Sequence, residues 1–167
     1  MRSINNHSYG NGTHLINTFG KKILHYRPPR ISMLLLIIAS AMHGFMPPLR
    51  VVVFASPLLA LAIGVTGFAI MMWAWWLFQK AETAICPTAK SSKLVTKGIY
   101  SFTQHPMYLG IIMMMAGVSV WFGSLPYYFV TVVYILVIRL VFCPFEEEQL
   151  TQQFGEDYIS YRKMVWG

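Results

Sequence analysis

From Val51 to Phe78 the chain runs without a single Asp, Glu, Lys or Arg. About 20 apolar residues suffice to cross a bilayer as a helix, so this run can cross with tilt to spare. Three more runs share its character: 31–46, 107–123 and 126–142, the last interrupted by Arg139 alone. Across the whole chain 56% of residues are hydrophobic and only 11% are charged. Soluble domains carry about 25% charge, so a water-facing surface of this size is excluded. The expected fold class is an all-α integral membrane protein of four transmembrane helices, with no soluble domain.

The connections refine the topology. Pro47-Pro48 removes backbone donors and ends the first helix. Ala39-Ser40-Ala41 resembles a leader-cleavage site, but the long polar stretch before this run favours a retained membrane helix. Gly123-Ser124-Leu125-Pro126 is so short a link that runs 107–123 and 126–142 must form a tight helical hairpin. In the second run, Ala60 and Gly64 form a small-xxx-small pair suited to close helix contact. Trp73, Trp75 and Trp76 mark its interfacial end. Near the C-terminus, Leu150, Phe154, Tyr158, Tyr161 and Val165 recur at steps of four, four, three and four. That is the stripe of one amphipathic helix lying on the membrane surface or capping the bundle. The chain therefore divides into a polar tail (1–30), N-terminal membrane helices (31–78) and a functional core (79–167).

The net charge is +7. Its carriers lie outside the apolar runs and form no nucleic-acid patch, so nucleic acid is not an expected partner. Basic residues fall on the tail, on 79–106 and on 144–167, with Arg50 alone opposite. Positive-inside logic places both termini and the long loop in the cytoplasm, as for a bacterial inner-membrane protein. Cys86 and Cys143 form no metal or disulfide pattern, and the tail histidines His7, His14 and His25 match no metal site. Met113–Met115 reads as packing.

The hairpin has a chemical consequence. It returns 144–167 to the membrane face that 79–106 leaves, bringing His105 to Glu146. Taken singly, each group has a plain structural reading. Glu146–Glu148 suits the start of a helix, His105 an interface, and Tyr100 and Tyr108 an aromatic belt. Arg139, ionisable within an apolar run, is either functional or snorkelling to the interface.

Together the residues make a specific pattern. Leu94-Val95-Thr96-Lys97-Gly98-Ile99-Tyr100 leads into Gln104-His105-Pro106-Met107-Tyr108-Leu109-Gly110, followed later by Glu146-Glu147-Glu148-Gln149-Leu150, Phe154-Gly155 and Tyr158. In order and spacing this resembles the isoprenylcysteine carboxyl methyltransferase family and, more loosely, the related phospholipid methyltransferases. The resemblance covers residues 80–166. It implies an S-adenosylmethionine site on Lys93, Leu94, Val95, Tyr100, His105, Pro106, Met107, Tyr108 and Glu146. It also implies a lipid-like or prenylated acceptor drawn from among membrane lipids, with no metal. Two positions depart from the family. Gln104 stands where Arg is usual, and Phe142 stands where the eukaryotic branch has an acceptor-binding Arg. Either the acceptor lacks a carboxylate or another cation takes over, and Arg139, one turn earlier, is the candidate, on the expectation that residues three apart share a helix face. No catalytic residue is assigned. A carboxylate acceptor is already ionised at neutral pH and needs no base. A thiol or amine would benefit from one, and His105 and Glu147 are the nearest groups. The rival functions are a phospholipid amine methyltransferase, a membrane reductase using a nicotinamide cofactor, and a bundle without catalysis.

Overall fold

The computed structural model describes residues 28–45, 55–81 and 94–165, and every element among them is helical. The order is α1 (Pro28–Phe45), α2 (Pro57–Lys80), a short 3-10 turn (Gly98–Ser101), α3 (Pro106–Phe122), α4 (Leu125–Val137), a π-helical turn (Ile138–Phe142), α5 (Cys143–Phe154) and α6 (Glu156–Met164). The tail up to residue 27, Pro47-Pro48, Arg50, Cys86, Lys90 and Lys93 lie outside the described residues.

Proline sets the helix starts. It stands in the first turn of α2, α3 and α4, where its missing N–H has no intrahelical partner to lose. Gly123 closes α3 in the left-handed conformation (φ 59°) and turns the chain directly into α4, giving the tight hairpin expected from the sequence.

Three helices are long and apolar enough to cross a membrane: Pro28–Phe45, Pro57–Lys80 and the continuous stretch Leu125–Phe154. The fourth apolar helix, Pro106–Phe122, has 17 residues, at the short end of what a crossing needs. Leu58, Leu61, Val65, Phe68, Leu136 and Leu140 are exposed, and in a bilayer they meet acyl chains rather than water. The chain is an integral membrane protein.

The most intimate helix pair is α2 with α3. A Cβ placed on Gly67 would stand 2.7 Å from the Gly110 carbonyl oxygen, and one on Gly110 would stand 2.7 Å from that of Gly67. Further along, Gly117 faces Ala60 and Gly64 at about the same closeness. Small residues let two backbones meet where lipid offers no hydrophobic drive. The main core joins α1, α3 and α4 through Ala39, Ile111, Met115, Tyr127, Val130, Tyr134 and Phe142. Polar bonds stitch the same helices: Ser119 Oγ to Thr131 Oγ1 (2.9 Å), Ser40 Oγ to Tyr127 Oη (3.1 Å), and His43 Nδ1 to Ser124 Oγ (2.9 Å).

Two sequence expectations change. The last apolar run does not end near residue 142. It continues through the π turn into α5 as a single helix of 30 residues. Pro144 sits inside that helix, and a proline there lacks a donor and crowds the preceding turn. The turn just before it widens to i→i+5 bonding, which absorbs the defect. Secondly, the stripe from Leu150 to Val165 is not one helix. Gly155 adopts φ 53°, ψ −125°, a conformation open essentially only to glycine, and divides it between α5 and α6.

Candidate functional site

At one end of the bundle, the start of α3, the start of α5 and all of α6 meet the segment 94–105. His105 is the residue just before α3, with Pro106 at the first helical position. Proline pushes the residue before it out of the helical region, and His105 accordingly has φ −123°, ψ 54°. Its ring is thereby turned across toward α5. Nδ1 lies 3.2 Å from Glu146 Oε2. The ring stacks on Tyr108 at 5.7 Å between centroids. Tyr108 donates its hydroxyl to Glu146 Oε1 at 2.5 Å. Both oxygens of Glu146 are therefore held, one from each end of the first turn of α3.

Glu147 takes a different partner. Its Oε2 is 2.8 Å from Arg162 of α6, and its Oε1 is 3.8 Å from His105 Nε2. That Nε2 is buried and has no hydrogen-bond partner. Burial opposes a charge on the imidazole. The neighbouring Cys143 and Glu146 outweigh it and raise the His105 pKa to about 10. One ring nitrogen of His105 is thus held by Glu146, and the other is buried without a hydrogen-bond partner.

A tyrosine lattice surrounds this pair. Tyr100 is buried on the 3-10 turn, edge-on to Phe78 at 5.2 Å, in a cluster with Ala74 and Ile99. Its carbonyl accepts from Tyr161 at 2.6 Å, and Gln104 Oε1 accepts from Tyr158 at 2.9 Å. Burial, first among the causes, raises the Tyr100 and Tyr158 hydroxyls above the ordinary phenol range and pushes Tyr161 to about 12. All three remain protonated donors at physiological pH. Gly98 (φ 67°) makes the turn that brings Tyr100 inward, and a Cβ there would strike Leu77 at 2.8 Å.

The sequence-nominated residues are placed as follows. Tyr100, His105, Pro106, Tyr108, Glu146 and Glu147 converge at this end. Leu94 and Val95 are half-buried on the approach to it. Val95 and Met107 pack against the Tyr100 cluster. Lys93 lies outside the described residues. Arg139 is exposed on the π turn, whereas Phe142 is wholly buried and meets Tyr108 edge-on at 6.4 Å. The widened turn shifts the register by about one residue, so these two do not share a face as α-helical spacing implies. Arg162 escaped sequence reasoning, because a basic residue in a last turn looks like an ordinary helix end. Gln104 stood out only as a departure from a pattern. Among the described residues no cluster of three metal-ligating side chains occurs.

An acidic and aromatic cluster is thus gathered at one end of an apolar helical bundle. The phospholipid methyltransferase family model matches residues 55–157, and the chain belongs to that family. The protein-S-isoprenylcysteine O-methyltransferase of Schizosaccharomyces pombe is 34% identical over 79 residues. That stretch is 46% of this chain and 32% of the fission-yeast protein, so the match spans about a third of the relative's length. No solved structure is significantly similar.

Proposed function

We propose that the chain is an S-adenosylmethionine-dependent methyltransferase acting on a lipid-like acceptor of isoprenylcysteine type, through a carboxylate or a thiol. The observation that carries the reading is the convergence of Tyr100, His105, Tyr108 and Glu146 at one end of the bundle. S-adenosylmethionine presents an ammonium, a sulfonium, a ribose diol, an adenine and a carboxylate. Glu146 suits the cationic or diol groups. The aromatic faces suit the adenine or sulfonium. The second ring nitrogen of His105, buried without a hydrogen-bond partner, suits a polar atom of the cofactor. Family position adds Lys93, Leu94, Val95, Pro106 and Met107 to the cofactor contacts. The site is read as facing the cytoplasm of a bacterial inner membrane, where the cofactor is dissolved.

When bound, the cofactor supplies an electrophilic methyl group whose thioether leaves uncharged. The protein's share is orientation and exclusion of water. His105 holds its proton at neutral pH and is unsuited to act as a base, and Glu147 is engaged by Arg162. A carboxylate acceptor, ionised without help, fits that arrangement. A second reading, methylation of a phospholipid amine, is supported by the family's description and by the buried apolar Phe142 at the place where a carboxylate-reading Arg stands elsewhere.

The test is binding of S-adenosylmethionine against a nicotinamide cofactor, followed by methyl transfer from labelled S-adenosylmethionine to a prenylcysteine acid, a lipid thiol and a phospholipid amine. Binding of the nicotinamide cofactor alone overturns the proposal, and activity only on the amine selects the second reading. Arg139→Leu distinguishes acceptors further. If Arg139 reads a carboxylate, the variant loses activity on the acid alone.

A further inference from the structure

A cofactor as polar as S-adenosylmethionine does not reach its site through hydrocarbon, so it must enter from the aqueous face. What lies across that face is α6. This helix has nine residues, Glu156–Met164, and is joined to α5 through Gly155. A Cβ added at Gly155 would meet nothing within 4 Å, so it is the backbone conformation, not crowding, that calls for glycine. Such a residue is suited to be a pivot.

The polar links of α6 are the second observation. Tyr158 donates to Gln104, Tyr161 to the Tyr100 carbonyl, and Arg162 pairs with Glu147. Each ends on a residue next to, or within, the set assigned to the cofactor. Beneath them sits the buried, unpaired His105 Nε2. The outer side of α6, with Glu156, Asp157, Ser160 and Lys163, is exposed. Releasing α6 breaks these three links and uncovers Tyr158 and Tyr161, both buried, so it is a local opening with a cost that a bound cofactor can offset.

The geometry points to α6 as a strap that swings about Gly155 to admit the cofactor and closes over it, with Arg162 as its latch. This rests on the cofactor reading above. Closing excludes water from the reacting atoms, and the Arg162–Glu147 pair keeps Glu147 from collapsing onto the second ring nitrogen of His105. In this role Arg162 is a positioning residue that acts through Glu147.

The experiment is amide hydrogen exchange on the full chain in nanodiscs, with and without S-adenosylhomocysteine, whose binding is measured separately by calorimetry. The expected result is at least about tenfold slower exchange across 156–164 at saturation, with α3 and α4 unchanged. Binding without slowed exchange in 156–164 overturns the strap while leaving the cofactor reading intact. Failure to bind overturns the cofactor reading and the strap with it. Arg162→Gln supplies a kinetic arm. It should raise KM for S-adenosylmethionine about three- to tenfold with kcat within about twofold, and Arg162→Lys should recover most of the loss. A fall in kcat at unchanged KM overturns the latch.

Discussion

Two adjacent glutamates with the same side chain do different work, because α5 points them at different neighbours. Glu146 is gripped by Tyr108 and His105, Glu147 by Arg162, and Glu148 is exposed with only a 3.4 Å contact to Gln152. Glu146→Gln should therefore weaken S-adenosylmethionine binding by about one to two decades, the effect of losing a charged hydrogen-bond partner worth roughly 1.5–3 kcal/mol. Glu148→Gln should leave affinity within about twofold. Calorimetry on both variants checks this, and equal small effects would remove Glu146 from the site. His105 gives a pH signature. Its pKa is raised in the folded state, from 6.5 to about 10, so its pairing contributes stability fully below pH 6.5 and loses it as pH climbs through about 10. Burial opposes this shift, and Cys143 and Glu146 on α5 set it; Glu147 and Tyr108 also face the ring. The thermal midpoint in detergent should fall across that interval, and His105→Gln should flatten the fall. An unchanged slope in the variant would assign the dependence to other groups.

At the scale of helices, the α2–α3 seam is where side-chain volume is least tolerated. Gly67→Ala places a methyl 2.7 Å from a backbone oxygen, which a rotamer change does not relieve. It should destabilise by about 1–3 kcal/mol, as overpacking does. Gly64→Ala, one turn away on the same helix, meets nothing within 4 Å and should be near neutral. Thermal unfolding of the two variants in detergent separates them, and similar midpoints would mean that the seam opens to accommodate bulk. The pair Ala60 and Gly64 was legible as a close-contact motif, and it does face Gly117. The tighter contact at Gly67 was not legible, because its reciprocal partner Gly110 lies on another helix and only the crossing reveals it. The hairpin was readable from one glycine and one proline. The π turn was not, since it depends on how the bundle accommodates Pro144 rather than on local preference. That turn is why Arg139 and Phe142 part company. The break at Gly155 was hidden by an apolar stripe that keeps helical spacing across it, although the glycine itself was in plain view. As for the site, His105 and Glu146 met because topology required it. Arg162 and Gln104 entered through contacts of side chains whose types are common on any surface.

For the molecule as a whole, polarity is distributed unevenly between the two ends. The site end carries the acidic pair with Arg162 on Glu147, and Lys80 and Lys97 close the segments that lead to it in sequence. The opposite end, where α1 stops and α3 turns into α4, is built from His43, Phe122, Ser124 and Tyr127, with no acidic, Lys or Arg side chain among them. The two helices of the hairpin are both apolar, so residues 125 and 160 should lie on opposite sides of the bilayer. Positive-inside asymmetry then predicts the site end on the cytoplasmic side. The measurement is labelling by a membrane-impermeant maleimide in intact cells, with Cys86 and Cys143 replaced by serine. Leu125 and Ser160, both exposed in the fold, are the positions for a single new cysteine. Leu125→Cys should react from outside, and Ser160→Cys should react only after permeabilisation. Reaction of Ser160→Cys in intact cells would invert the topology and place the site on the side that lacks the cofactor, which would undo the proposed function as well as the orientation. Reaction of both positions would break the hairpin as a crossing and leave α3 and α4 lying within one leaflet. The short length of α3, 17 residues, makes that last comparison worth the double labelling, because a helix at the lower limit crosses only where the bilayer thins or its ends snorkel.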